Sequence, residues 1–510
     1  MARFKAGELH ILKWGETMGK NVLAFDLGAS SGRAILGRYE NGVLQIEEIH
    51  RFHNAVVKKD GKLFWNLDYL FSEILVGLEK ATAKYPIDSI GFDTWGVDFA
   101  AIDEEGQLLQ NPLSYRGTET DGMLSFLEEN YCSAEELYQE TGIQIMEINS
   151  LFQLLALKQQ AGELFQKTKY ILNIPDLFNY LLTGEIKAEM SIASTTQLMN
   201  PHSKTWDKTL LEKIGLPVDV FPPLVEEGNI LGKVKTEFTQ QKQAIQVINV
   251  CEHDTASALV CVPTQQQDFI FISSGTWSLI GTELQTPIIS KDTYHYQLTN
   301  EIGQNKRTEL LKNCTGLWII QELQKEFDEQ GENYSFAQMT ELAMTAPVAQ
   351  TMIDTEDARF AKPDQMIEKI QAYAAETQQV IPQTAAELFR CVYESLALQY
   401  KATIDHIKAV TGKAYETIYI VGGGSQSELL CQLVADVTNT EVCAGPAEAT
   451  ALGNITIQFM AQGIYDNVQE IRDWTRTQTD LKNYLPRDSE LWQKIYQKYQ
   501  KLISSKEMRK

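Results

Sequence analysis

The sequence predicts an α/β protein of two lobes, each built on a mixed sheet, and three observations carry that prediction. The chain has 510 residues, longer than one hydrophobic core usually grows, so two domains of roughly 200 to 250 residues with a central cleft are expected. Its N-terminal part reads strand, strand, strand, helix, strand, whereas a doubly wound nucleotide fold begins strand, helix, strand. From Asp268 the opening pattern recurs: Phe269 to Ser273, the turn Ser274-Gly275-Thr276, then Trp277 to Thr282.

In order along the chain, Val22 to Asp26 is an apolar run ending in a carboxylate, followed by a Gly/Ser turn and a second strand from Ala34 to Tyr39. Asn41-Gly42 between apolar runs predicts a hairpin into Val43 to Phe52. Leu67, Leu70, Phe71, Ile74 and Leu78 recur at helical spacing, which predicts a helix over Asp68 to Lys84, and Ser89 to Ile102 reads as a further strand region. Glu136 to Gln160 and Asp207 to Ile214 read as helical, and the Pro-rich stretch Leu216 to Glu227 as a surface loop. Thr417 to Val421 is a β-branched strand entering Gly422-Gly423-Gly424, with a helix after it, and Leu491 to Leu502 is a last amphipathic helix with a basic tail. The expected boundaries are an N-terminal extension over 1–20, disordered and set aside, an N-terminal lobe over 21–262, a C-terminal lobe over 263–485, and a helix and tail over 486–510.

Bulk properties narrow the function classes. With 44% hydrophobic and 22% charged residues, the chain has the composition of a folded globular protein. A formal charge of -23 repels nucleic acid and anionic lipid, so neither is an expected partner, and a phosphate-bearing ligand must be held by local donors or a metal ion. Seven cysteines without a Cys-x-x-Cys pair predict reduced thiols in the cytoplasm. No apolar run approaches the roughly 18 residues of a membrane span, and Met1 to Lys20 lacks a signal-peptide apolar block. A monomer or small homo-oligomer is expected.

Five segments could carry chemistry. Asp26-Leu27-Gly28-Ala29-Ser30-Ser31-Gly32-Arg33 has what a phosphate turn needs: glycines for close approach, exposed amides, hydroxyls and a cation, with Asp26 able to hold Mg2+ through water. A plain hairpin turn with an exposed arginine fits the same residues. No Walker A motif competes, since Gly228 to Val234 has too short a spacing and lacks the hydroxyl. Ser274-Gly275-Thr276 repeats the small-hydroxyl turn, and Gly422-Gly423-Gly424-Ser425 links a strand to a helix, where backbone can approach an adenosine or a phosphate. Cys251-Glu252-His253-Asp254-Thr255 follows a strand-like run, so Asp254 could take a proton from a substrate hydroxyl. A zinc site from Cys251, His253 and Cys261 is the rival there, although its spacing matches no common zinc pattern. Asp93-Thr94-Trp95-Gly96-Val97-Asp98-Phe99 suits a sugar, with Trp95 to stack on the ring and Asp93 to bind hydroxyls; a buried strand with one satisfied carboxylate fits equally.

Taken together and in this order, these motifs resemble the FGGY carbohydrate kinases from Asn21 to about Tyr484, and Asp93-Thr94-Trp95-Gly96-Val97-Asp98 points within them to the branch acting on L-rhamnulose. The resemblance implies a two-lobed, actin-like (RNase H-like) ATPase fold with ATP at the cleft floor and the sugar held mainly by the N-terminal lobe. It implies transfer of the γ-phosphoryl group of ATP to O1 of L-rhamnulose, with Asp254 as the base. Ala29, Ser30, Ser31, Gly32, Arg33 and Thr276 match phosphate-turn positions, Gly422 and Gly423 the adenosine loop, and Gln321 a nucleotide contact. Gly96, His253, Asp254, Thr255 and Asn313 match sugar contacts. The extension before Met18 departs from the family pattern, and Cys251 and Cys314 stand at variable positions. Two rivals stay open: a kinase for another ketose or polyol (L-fuculose, D-xylulose, glycerol), and an actin- or chaperone-like ATPase with no sugar substrate.

Overall fold

A computed structural model describes residues 19–507, with side chains through Ser504; most of the expected N-terminal extension lies outside the described residues. The chain forms two compact units. The first comprises the described residues up to Cys261 together with Leu284–Leu310 and Ala449–Gln478, and the second comprises Val262–Glu283, Leu311–Glu448 and the stretch from Thr479 onward. Sequence reading draws a single boundary at 262/263, and the units also part at Cys261/Val262. Beyond that point the chain returns to the first unit twice, because 284–310 and the helix Ala449–Ala461 pack there.

The first unit is built on β1 (Lys20–Leu27), β2 (Ser31–Glu40), β3 (Val43–His53), β4 (Ser89–Thr94), β5 (Ile230–Lys233) and β6 (Gln246–Ile248). Their order is β5-β6-β4-β1-β2-β3. β1 is antiparallel to β2 and parallel to β4, β4 is parallel to β6, and β5 closes the edge antiparallel to β6. The Asn41-Gly42 turn has positive φ at both residues, the backbone that matches the twist of a two-residue hairpin. Helix α1 (Leu67–Lys84) starts at Asn66, whose side chain accepts from the Tyr69 N–H, and buries Leu67, Leu70, Ile74, Leu78 and Ala81. These join Leu23, Phe25, Phe92 and Phe178 in one core.

The second unit uses β7 (Ile270–Ser274), β8 (Trp277–Leu284), β9 (Thr308–Thr315), β10 (Thr417–Val421), β11 (Glu441–Ala444) and β12 (Lys482–Tyr484), in the order β9-β8-β7-β10-β11-β12. β7 is antiparallel to β8 and parallel to β10, β10 is parallel to β11, and β12 is antiparallel to β11. For these six of the sheet's seven strands the order, and from β8 to β12 the sense, are those of the first unit. The duplication suggested by short sequence echoes is therefore present as a repeated RNase H-like sheet, the mixed α/β fold of actin-like ATPases.

Several sequence boundaries move. Glu136 to Gln160 is two helices, Ala134–Thr141 and Ser150–Gln160, because Gly142 ends the first in the left-handed region. The strand region Ser89 to Ile102 breaks at 95–98, and Phe99–Ile102 pairs with Tyr170–Asn173 instead of the main sheet. Leu216 to Glu227 contains a 3-10 turn and the short strand Leu224–Val225, which pairs with Ala188–Glu189. The last helix runs Ser489–Glu507.

A buried polar seam joins the helix Ala449–Ala461 to β4. Ser89, Gly91 and Asp93 alternate onto one face of the strand, and Asn454, Gln458 and Gln462 recur at helical spacing opposite them. Asn454 Nδ2 donates to Asp93 Oδ2 at 2.7 Å, Ser89 Oγ to Gln458 Oε1 at 2.7 Å, and Gln462 Nε2 to Ser89 Oγ at 2.8 Å. Gly91 permits the approach, since a Cβ there would stand 2.7 Å from Asn454 Oδ1.

The same helix meets the helix Asp254–Val260 at Gly453, where a Cβ would lie 1.8 Å from the Ser257 carbonyl oxygen. Backbone, unlike a side-chain tip, cannot swing aside. Gly453→Ala is expected to cost about 1–3 kcal/mol of stability, read as a lower denaturation midpoint in urea with an unchanged slope.

Candidate active site

Asp26 ends β1 directly beside Asp93 on the parallel strand β4. Arg33, across the β1–β2 hairpin, pairs with Asp26 at 2.5 Å. The arginine expected to meet phosphate therefore also neutralises the carboxylate expected to serve Mg2+. Between them the turn is closed by Gly28 N–H donating to the Ser31 carbonyl at 2.9 Å, and it is clasped by Asn54, whose Nδ2 donates to the Gly28 carbonyl at 2.9 Å. Ser30 is exposed, and Ala29 and Ser31 are half-buried. Asn54 lies outside every motif, so sequence reading passed over it.

The Asp93 to Phe99 segment differs from its sequence reading. Asp93 is 0% exposed and bound to Asn454, and Trp95 is 6% exposed, so both side chains are engaged within the fold. Trp95 packs on Trp65 at 4.3 Å between ring centroids. Both indoles donate to Asp98 Oδ2, from Trp65 at 2.6 Å and from Trp95 at 3.0 Å, while Gln153 Nε2 donates to Oδ1 at 2.9 Å. Burial raises the Asp98 carboxyl to about 6, against the lowering effect of these donors. The segment thus frames a turn in which Val97 is held at φ 65, a costly backbone for a β-branched residue. Thr195 Oγ1 accepts from the Val97 N–H at 3.1 Å, and Ser150 Oγ donates to the Val97 carbonyl. Gly96 is half-buried on this turn, and the exposed Arg116 guanidinium lies 5.9 Å from the Trp65 ring centre.

The turn Glu252–Thr255 is attached to the end of β4, where Thr94 N–H donates to the Glu252 carbonyl at 2.9 Å. His253 caps the helix Asp254–Val260 and Asp254 opens it, a favourable place for negative charge. Asp254 Oδ1 accepts from Thr255 Oγ1 at 3.2 Å and lies 3.5 Å from His253 Nε2. Its side chain keeps 38% of its exposure, yet the surrounding protein desolvates it. That desolvation raises its pKa, His253 lowers it, and the negative charge of Asp26 raises it further. Burial alone would depress His253, but Glu301 Oε2, 3.3 Å from Nδ1, with the charges of Asp254 and Glu309, carries it to about 9. His253 is therefore an imidazolium at neutral pH. Glu301 and Glu309 went unnoticed in the sequence because they come from the returning segment 284–310.

Asp93 is raised well above the usual carboxylate range, first by burial and next by Asp26, with Asp254 adding to the effect. Asp26, Asp93 and Asp254 thus form one electrostatic cluster. Among the described residues no three His, Cys, Asp or Glu side chains are placed to hold a metal directly. Cys251 and Cys261 are buried thiols outside any disulfide, with Cys261 against Thr456.

In the second unit Thr276, Gln321 and the Gly422 loop gather at the turn that follows Ser274. Gly275 N–H donates to the Trp277 carbonyl at 2.8 Å, and Leu317 N–H to the Gly275 carbonyl at 2.9 Å. Thr276 Oγ1 donates to Gln321 Oε1 at 3.2 Å. The glycine loop presses on the same turn, for a Cβ on Gly424 would meet Ser274 Oγ at 2.1 Å, while Gly423 faces open space. Asn313 is half-buried on β9.

Comparison with known proteins gives the family. Residues 21–261 match the N-terminal domain, and residues 270–462 the C-terminal domain, of the FGGY family of carbohydrate kinases. The chain is similar to a rhamnulokinase of Halalkalibacterium halodurans, with 43% identity covering 92% of this chain and 99% of that one. For a rhamnulokinase of Bacillus subtilis the identity is 40%, over 91% and 95%. Among solved structures, a gluconate kinase from Lactobacillus acidophilus superposes with TM-score 0.80 at 17% identity, covering 96% of this chain and 98% of that chain. A glycerol kinase from Plasmodium falciparum with ADP gives 0.74 at 16%, covering 96% and 98%.

The His253–Glu301 pair has a pH signature. A histidine raised from 6.5 to about 9 binds its proton more tightly in the folded chain, so its stabilisation is full below about pH 6.5 and is lost as pH rises through 9. Glu301→Gln should lower the His253 pKa measured by NMR titration and flatten stability over that window. An unchanged His253 titration would remove Glu301 as the cause.

Proposed function

Because the chain belongs to the FGGY family of carbohydrate kinases, an ATP-dependent sugar kinase family, we propose that it transfers the γ-phosphoryl group of ATP to O1 of L-rhamnulose, giving L-rhamnulose 1-phosphate and ADP. The observation that supports this most is Asp254, an accessible carboxylate held beside an imidazolium at the end of the main sheet. The names of relatives at 39–43% identity support the choice of sugar.

In this reading Asp254 accepts the proton of the sugar hydroxyl. An ordinary Asp, with a pKa of about 3.9, is a weak base, and the desolvation that raises Asp254 strengthens it. His253 keeps the carboxylate ionised and fixes its orientation; Thr255 occupies one lone pair of Oδ1. Gly96, on its strained turn, His253 and Thr255 line the sugar side, and the exposed Arg116 beside Trp65 is a further donor there. Asp93 and Trp95 act from the interior, by holding the turn and the strand end. Ala29 to Arg33 offer amides, hydroxyls and a guanidinium to phosphate oxygens, which suits the exposure of Ser30 and the clasp by Asn54. Thr276, Gln321, Gly422 and Gly423 are assigned to the nucleotide, and Asn313 to the sugar, on the family resemblance.

Asp26 fits a Mg2+ ion held through water, since the orphaned Asp93 Oδ1 beside it and the mutual repulsion of the carboxylates favour added positive charge. When bound, the ion would neutralise charge on the phosphates. Among the described residues no helix is long and apolar enough to cross a membrane. Seven free, buried cysteines suit a reducing cytoplasm.

Asp254→Asn should lower turnover at saturating sugar and ATP by roughly 10^2 to 10^4, with the fold intact by circular dichroism; wild-type turnover would remove Asp254 as the base. ADP release should be fastest with L-rhamnulose when it is compared with L-fuculose, D-xylulose and glycerol. Equal rates with all four would overturn the choice of sugar, and no rate above ATP alone would overturn the kinase reading.

A further inference from the structure

Beneath the turn that carries Asp254 lie three acidic side chains that the mechanism does not use. Asp176 stands in the helix Ile174–Thr183, Glu189 caps the short helix Met190–Ser194, and Glu252 precedes His253. They are 2%, 1% and 0% exposed. Among the described residues no lysine, arginine or histidine side chain is paired with any of them. Burying three carboxylates without a cation is among the most costly arrangements a protein can adopt, so their hydrogen bonding must account for it.

The bonds form a closed circuit. Glu252 N–H donates to Glu189 Oε2 at 3.1 Å, and Glu189 N–H donates to Asp176 Oδ1 at 2.9 Å. The Asp176 and Glu252 carboxyls then meet each other. Of the oxygens outside that last contact, Asp176 Oδ1 and Glu189 Oε2 have the donors just named, and Glu252 Oε1 accepts from Asn179 Nδ2 at 2.7 Å and from Asn249 Nδ2 at 2.6 Å. Asp176 Oδ2 and Glu252 Oε2 are buried and receive no N–H or O–H from any described residue. Two carboxylate oxygens in contact repel each other unless a proton lies between them. Glu189 Oε2 also accepts from Ser191 Oγ at 2.5 Å, and that hydroxyl receives the His253 N–H at 3.1 Å. The circuit therefore fixes the backbone of both residues before Asp254.

The geometry points to a positioning device: Asp176, Glu189 and Glu252 form a ring closed by one proton shared between Asp176 and Glu252, and this ring holds the base Asp254 in its working orientation. Charges facing the ring agree with this. Asp176 and Glu252 rise well above the usual carboxylate range through burial first and then through neighbouring acids, and Glu189 reaches about 7 through burial, with Glu227 adding to it. The positional role rests on the reading of Asp254 as base; the shared proton does not.

Amide substitution tests the ring, because a carboxamide N–H can stand where the shared proton stands while its oxygen keeps the other bonds. Glu252→Ala should lower kcat about 100-fold, the cost of a base displaced by an ångström or so, with KM for ATP little changed. Glu252→Gln and Asp176→Asn, made singly, should each recover kcat to within about threefold of wild type. The double variant Asp176→Asn/Glu252→Gln sets two N–H groups against each other, and should lose both kcat and thermal midpoint far beyond the sum of the singles. A double variant as good as its parents, or Glu252→Gln as slow as Glu252→Ala, overturns the shared proton. If Asp254→Asn keeps wild-type turnover, the base reading falls by itself, and the thermal midpoints of the same variants still decide the ring.

Discussion

The constraint on which the first unit depends is electrostatic: Asp26 and Asp93 lie opposite each other at the ends of two parallel strands, with Asp254 in reach of both. Left alone, such a cluster would repel itself and forfeit hydration. Three different partners relieve it. Arg33 pairs with Asp26, Asn454 donates to Asp93, and His253 accompanies Asp254. Each relief demands something of the fold. The β1–β2 register must bring Arg33 across from Asp26, the helix Ala449–Ala461 must come close enough for Asn454 to reach β4, and Glu301 must return to keep His253 charged. The late segments of the chain belong to the first unit largely for these reasons.

That dependence explains why glycines and amides, not only apolar residues, shape the interior near the site. Gly91 and Gly453 bring the helix Ala449–Ala461 against β4 and against the helix that starts at Asp254. At that range, buried side-chain amides satisfy the strand face in a row, and each has few rotamers that do so. The seam fixes the register between helix and strand with a strictness that apolar packing rarely gives. The end of β4 then fixes Glu252 through a backbone bond. Precision at Asp254 is thus inherited through backbone and amide contacts, none of which touches substrate.

Much of this was legible in the sequence, and what was not has physical reasons. The hairpin at Asn41-Gly42, helix α1 and the strand into Gly422 follow from period and turn chemistry alone, and Gly42 and Leu70 sit where those rules put them. The break at Gly142 was hidden because the residues on both sides favour helix. The burial of Asp93 and Trp95 was not legible, because an indole and a carboxylate serve a sugar ring and a buried network equally well. Glu301, Asn454, Asn54 and Asp176 carry no local signature. Their roles arise from contacts with residues tens to hundreds of positions away.

The two units also show how one topology supports unlike chemistry. Their sheets share the same strand order and sense, so the end of the first strand and the turn after it are equivalent places in each. In the first unit that strand carries Asp26 one residue before its end, and Arg33 follows the turn; in the second it ends in Ser273 and Ser274, and its turn carries Thr276. Ionised groups in the first unit require the relays of counter-charge described above. In the second, neutral hydroxyls are satisfied locally, as Ser278 is by Tyr400 and Thr276 by Gln321, and backbone can approach as closely as Gly424 approaches Ser274. A repeated sheet thus provides two equivalent strand ends, and only the charged one bears the cost of burying ionised groups.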